Sequence, residues 1–184
     1  GRAAMAMPPE ALEAEVRAQV TRLAEVAHGL GKTVGHVKPH GALYHACSAS
    51  AEVAETVARA CRGLPGKVVL VGLAGSAALA TWRGLGFATA PEAFADRAYD
   101  DRTTLRDRRR PGAVLTPEAS ARQALAIARG DGVMCGDTTA SIEAVTLCLH
   151  GDAPQAVERA RLVRQALDDA GIDVRRLIDQ SPVS

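Results

Sequence analysis

Three short stretches collect the side chains able to do chemistry. HVKPHGALYH, residues 36–45, sets Lys38, His40 and Tyr44 around a Pro and a Gly, and holds three of the chain's five histidines. EAFADRAY brings Glu92, Asp96, Arg97 and Tyr99, and HGD brings His150 and Asp152. An imidazole of ordinary pKa, about 6.5, takes up and returns a proton near neutral pH. A fixed lysine or arginine opposes a carboxylate or a developing oxyanion, and arginine does so bidentately. Gly41 lets backbone come close to a ligand. Lys38 is the hardest of these to place on an idle surface. It follows an apolar run, where a buried ammonium must snorkel to water or find a partner.

Plain structural jobs compete with each of these. Asp152, two residues before Pro154, matches a helix N-cap followed by a first-turn proline. His150 can close a strand by donating to a carbonyl, and His36 and His45 read as structural or surface residues. The glycines of GLAGS, residues 72–76, suit a tight strand-to-helix turn; the segment lacks the lysine of a P-loop. No G-x-S-x-G elbow exists, and the His and Cys spacings fit no standard zinc module. His40 and His150 can share a metal only with help from carboxylates. The basic run Arg106, Arg108, Arg109, Arg110 is broken by Asp107 and has no interleaved aromatics. It suits a solvated loop or a clamp for a small anion better than nucleic acid.

The elements that must carry these residues follow from periodicity. Leu12, Val16, Val20, Leu23 and Leu30 recur at helical spacing, which predicts a helix over residues 8–30. Further helices are predicted over 51–61, 74–82, 117–129 and 154–170. Strands are predicted over 33–37, 67–72, 87–90 and 144–149, with a last one at 174–178. Apolar strands alternating with helices predict an α/β fold with a parallel sheet, open or closed into a barrel. In such folds the loops after the strands' C-terminal ends form the ligand crevice. All three polar stretches fall in such loops, so Lys38, His40, Arg97 and His150 are expected to face one mouth. Residues 94–114 read as one long polar loop, mobile unless covered.

At 184 residues, with 22 basic and 21 acidic side chains, the chain has the size of one domain and a net charge of only +1. That leaves no global field to draw in nucleic acid or a membrane surface. Aromatics make up 3% of it, so the core must rest on Ala, Val and Leu. The four cysteines are widely spaced, and no C-x-x-C or signal-peptide pattern appears, which points to a reduced, cytoplasmic setting. No window approaches the ~20 apolar residues of a membrane helix.

HVKPHGALYH, FADRAYDDRTTLRDRRRPGAVL and LCLHGDAPQAV, in that order and at those separations, closely resemble the LamB/YcsF family over most of the chain. The resemblance implies an irregular parallel β/α barrel, TIM-like and related to that of sugar deacetylases. It implies ATP-dependent opening of 5-oxo-L-proline to L-glutamate, with ATP accompanied by Mg as its counter-ion and the work shared with 5-oxoprolinase subunits B and C. By motif the matching positions are Lys38, His40, Gly41, Tyr44, Arg97, Tyr99, Arg108, His150 and Asp152. From the chemistry of their side chains, Lys38, His40, His150 and Asp152 are read as catalytic and Gly41, Tyr44, Arg97, Tyr99 and Arg108 as substrate-binding, and no protein-bound metal is assigned. The family pattern opens with a strand bearing a DLNCDLGE-like motif and a GFHAGDP-like turn, neither of which this sequence contains. A preceding segment is therefore expected, with residues 1–184 forming a single α/β domain, the C-terminal majority of the barrel. Two readings compete: a metal-dependent, deacetylase-like hydrolase, and a non-catalytic subunit that binds 5-oxoproline. The chemistry suits the implied reaction. A lactam amide is resonance-stabilised and a poor electrophile, so its opening needs activation by ATP and cations near the carbonyl.

Overall fold

The computed structural model describes residues 5–177, which form two compact units divided between Ala90 and Pro91. The first contains α1 (Pro9–Gly29), β1 (His36–Val37), α2 (Ala42–Ala49), α3 (Ala51–Cys61), β2 (Val69–Leu73) and α4 (Ala77–Gly84). β1 and β2 pair in parallel, His36 opposite Val69 and Val37 opposite Leu70. α3 starts where Ser50 turns extended and its Oγ accepts from the Val53 amide at 3.3 Å, a side-chain N-cap. Its small residues let neighbours come close. Ala54 and Ala58 have no exposed surface, and the Ala54 carbonyl accepts from the indole of Trp82 at 2.8 Å. Trp82 in turn lies over Gly72 of β2, where a Cβ would sit 2.7 Å from its ring. Val57, Leu70 and Leu79 complete this core.

The second unit begins within β3 (Ala88–Phe94) and continues through β4 (Tyr99–Asp101), β5 (Thr104–Leu105), α5 (Pro117–Arg129), β6 (Val133–Cys135), β7 (Thr138–Ala140), β8 (Thr146–Cys148) and α6 (Ala156–Asp169). β3 and β8 are parallel, with Phe94 opposite Cys148 at the end of the ladder. A small second sheet runs in the order β5-β4-β6-β7, two hairpins joined by a parallel β4–β6 pairing. α5 is bounded by a Thr116 cap, Pro117 in its first turn and Gly130 at φ 80° after its end. It packs on α6 through Ala124, Val163 and Leu167, with Ala95 beneath them.

Parallel pairing between strands separated by helices is the α/β organisation that the periodicity predicts. Several elements differ. α2 is not among the predicted helices, because Gly41 and Ser50 bracket just eight residues, of which only Tyr44 and Cys47 are fully buried. The hairpin of β6 and β7 is not predicted at all; strands of three residues carry no readable period. Residues 94–114 are not an open loop. Ala98 N donates to Ala113 O at 3.0 Å, Arg106 N to Ala98 O at 2.9 Å, and Leu115 N to Asp96 O at 3.0 Å, so backbone bonds tie the segment down at both ends. Of the expected last strand, Val174 to Arg176 are irregular, and Ile178 lies outside the described residues.

Candidate active site

In the second unit the site grows from the shared end of β3 and β8. The Ala95 amide donates to Cys148 O at 3.1 Å, one step past the paired residues, so both chains leave the sheet side by side. This brings together Asp96 and His150, 54 positions apart. Asp96 is 1% exposed. It accepts the His150 backbone amide at 2.9 Å, and its two oxygens lie 3.0 and 3.1 Å from His150 Nδ1. Burial alone would raise this carboxyl, but the bonds from the His150 ring and amide outweigh it and hold the group below the ordinary carboxylate range. An ionised carboxylate only accepts, so Nδ1 carries the proton it donates, and Nε2 is left as the basic nitrogen. The Phe94 ring stacks on the imidazole with centroids 5.6 Å apart and planes 20° apart. The His150 side chain remains 28% exposed, open to a substrate or water.

The neighbours of this pair divide between backbone and surface. Arg97 is 5% exposed; its Nε donates to Ala113 O at 3.2 Å and its Nη2 to Arg106 O at 2.7 Å, which binds the β4–β5 hairpin to the strand end. Burial, and then the charge of Arg108, lower its pKa. Tyr99 has no exposed surface, and its hydroxyl accepts from Phe94 N at 2.8 Å; burial pushes its phenol well above the usual range. Both side chains thus fix the backbone that presents Asp96. Arg108 and Asp152 are partly exposed and joined at 2.8 Å, Nη2 to Oδ1. Asp152 does not cap α6. The cap position falls to Gln155 at φ 61°, without a side-chain bond, and Asp152 holds Arg108 instead.

In the first unit, Lys38 leaves β1 half-buried, ahead of the buried Pro39. Its Nζ lies 5.6 Å from the centroid of the Tyr44 ring, a cation–π contact that gives the ammonium a partner. Gly41 at φ 60° turns the chain into α2, and the turn places Tyr44, 4% exposed, beneath Lys38. His40 is exposed just before this turn, and His45 meets the Tyr44 ring edge-on at 6.0 Å. Sequence reasoning marks Asp96 as a polar strand-end residue but not as the partner of His150. Only the parallel register of β3 and β8 joins them. Among the described residues, no three His, Cys, Asp or Glu side chains gather as a set of metal ligands.

Comparison with known proteins agrees with this architecture. The chain is 44% identical over 177 residues to the 5-oxoprolinase A subunit of Chloroflexus aggregans, a match that covers 95% of this chain and 70% of that protein. It is 40% identical over 179 residues to the 5-oxoprolinase A subunit of Nocardia farcinica, covering 97% and 72%. The crystal structure of the lactam utilization protein from Thermus thermophilus superposes with a TM-score of 0.87 at 38% identity, over 95% of this chain and 70% of that one. The family model described as the LamB/YcsF family matches residues 1–181, and the chain belongs to that family.

Proposed function

We propose that this chain is the A subunit of a 5-oxoprolinase, opening 5-oxo-L-proline to L-glutamate together with partner subunits B and C. The observation that carries the reading is the Asp96–His150 pair: a buried carboxylate on Nδ1 of a partly exposed imidazole makes a general base held in one tautomer. Relatives named as 5-oxoprolinase A subunits, alike over almost the whole chain, supply the substrate class. ATP supplies the driving force that makes an unreactive lactam carbonyl attackable. The described residues offer no P-loop-like cradle for its phosphates. Residues 73–76 close on themselves through Ser76 N to Leu73 O at 3.0 Å and include no lysine. ATP with its Mg is therefore assigned to the assembled enzyme.

The roles of this chain's residues follow from their chemistry. His150 Nε2 takes the proton of the attacking water and returns it to the lactam nitrogen as the ring opens. Asp96 stabilises the imidazolium formed in between. Arg108, half-exposed and already on a carboxylate, exchanges Asp152 for the carboxylate of the substrate. Lys38, held over Tyr44, and the exposed His40 at the Gly41 turn are further groups of the reaction. None of the four cysteines is in a disulfide, which suits a cytoplasmic enzyme.

The test is turnover by the complex reconstituted with its partners. His150→Gln is expected to lose about 10²- to 10⁴-fold, the usual worth of a positioned acid–base group. Lys38→Ala is expected to lose about 10²- to 10³-fold with an unchanged melt. Full turnover in both variants overturns the catalytic roles given to His150 and Lys38. Binding of 5-oxoproline with no turnover in the complete wild-type complex overturns the reading in favour of a presenting subunit.

A further inference from the structure

We infer that Gln123, on α5, is the positioning residue that sets Asp96 against His150. Its side-chain amide Nε2 donates to Phe94 O at 2.7 Å and to Arg97 O at 2.8 Å, with Ala95 O at 3.4 Å. Those carbonyls flank Asp96 on both sides in the chain. One NH₂ group carries two hydrogens, so the two short bonds use both, and the third contact shares one of them. A single side chain thus gathers three carbonyls from four consecutive residues and fixes the curl of the segment that points the Asp96 carboxylate at Nδ1.

The location explains why such a device is needed. The β3–β8 ladder has run out at Phe94 and Cys148, and one further bond, Ala95 N to Cys148 O, is its last. Past that point the sheet no longer dictates the backbone, yet Asp96 must place two oxygens within 3.1 Å of one ring nitrogen. Arg159 of α6 acts one step further away: its Nη2 donates to Leu115 O at 3.0 Å, and Leu115 N donates to Asp96 O. Gln123 is the direct clamp. A residue of equal length without donors leaves carbonyls in a part-buried place unsatisfied, and the segment relaxes to recover bonds elsewhere.

The inference rests on the proposed role of His150 for its catalytic meaning, but its test needs neither substrate nor partners. Nitrogen-15 NMR of the histidine rings, on the full chain above pH 8, reads which nitrogen of His150 carries the proton. The unaltered protein is expected to show the Nδ1–H tautomer. Gln123→Met, with no donors at the same length, is expected to lose the Nδ1–H signal and to shift population toward Nε2–H while still melting cooperatively. Gln123→Glu, which presents a carboxylate to the three carbonyls, is expected to lose it as well. A folded Gln123→Met chain with the wild-type tautomer overturns the inference. If neither variant folds, scalar couplings across the hydrogen bonds from Gln123 Nε2 to the Phe94 and Arg97 carbonyls in the unaltered chain decide: their presence supports the clamp and their absence overturns it. A shifted tautomer in Gln123→Met beside full turnover of His150→Gln leaves the clamp standing and removes the catalytic role of His150 instead.

Discussion

Residue by residue, the site depends on a carboxylate that can only accept. Replacing it separates charge from shape. In Asp96→Asn the amide oxygen is drawn to the His150 backbone N–H, which leaves the NH₂ to face Nδ1 and turn it into an acceptor. The ring then holds its proton on Nε2, the wrong nitrogen for a base. The same carboxylate leaves a mark on stability. Its pKa is depressed in the folded chain, so it adds stability above the unfolded value of about 3.9, and that contribution is lost as pH falls through the lower folded value. The melting temperature of wild type is expected to exceed that of Asp96→Asn at pH 6, with the gap closing as pH falls below about 4. A gap that stays constant over this range would mean that ionised Asp96 contributes nothing. Lys38 and His150 are legible in the sequence because each interrupts or ends an apolar run. The pairing of Asp96 with His150 is not, since 54 positions lie between them and only strand register closes the distance. Arg97 and Tyr99 mark the other limit: residue type alone does not tell a ligand contact from a donor or acceptor that serves the backbone, as both do here.

Among the helices and strands, what was legible had end signals. α3 and α5 match the predicted bounds residue for residue, because Ser50, Thr116, Pro117 and Gly130 mark the ends that hydrophobic period alone leaves vague. α2 and the β6–β7 hairpin lack period, and the polar letters of residues 94–114 hide a segment tied down by backbone bonds at both ends and by Arg97 on the Ala113 and Arg106 carbonyls. β2 shows how small residues substitute for the scarce aromatics: Gly72 is bare so that Trp82, fully buried, can lie against the strand and reach Ala54 O. Gly72→Ala would put a methyl 2.7 Å from the Trp82 ring, which cannot turn aside without losing the Ala54 bond. Overpacking of this kind costs about 1–3 kcal/mol. Chemical denaturation is expected to show a midpoint lowered accordingly, with the slope unchanged. A wild-type midpoint would mean that the indole has room to move.

For the molecule as a whole, composition foretells the kind of core but not its centre. The Ala- and Val-rich interior is there, yet the few aromatics are spent at its deepest points, Trp82 in one unit and Tyr99 in the other. Among the described residues no helix is long and apolar enough to cross a membrane. The cysteines, none of them in a disulfide, sample both units: Cys47 and Cys61 are buried in the first, Cys135 and Cys148 half-buried in the second. Burial pushes the Cys47 thiol up to about 12 and that of Cys61 up to about 11. At pH 8 an ordinary thiol of pKa about 8.5 is roughly a quarter thiolate; one near 12 is then roughly 10³-fold less ionised, and one near 11 roughly 10²-fold, before steric exclusion is counted. Burial, then the charges of Asp101 and Asp100, also raise the Cys135 thiol, but Cys135 and Cys148 are only half-buried, so alkylation followed by peptide mass spectrometry is expected to modify these two before Cys61, with Cys47 slowest of all. The two slow sites then react only when the first unit opens, so sub-denaturing urea should accelerate both together. If Cys47 is alkylated as fast as Cys135 in native buffer, the helices that cover it open far more often than their packing allows, and the first unit is not closed around its thiols.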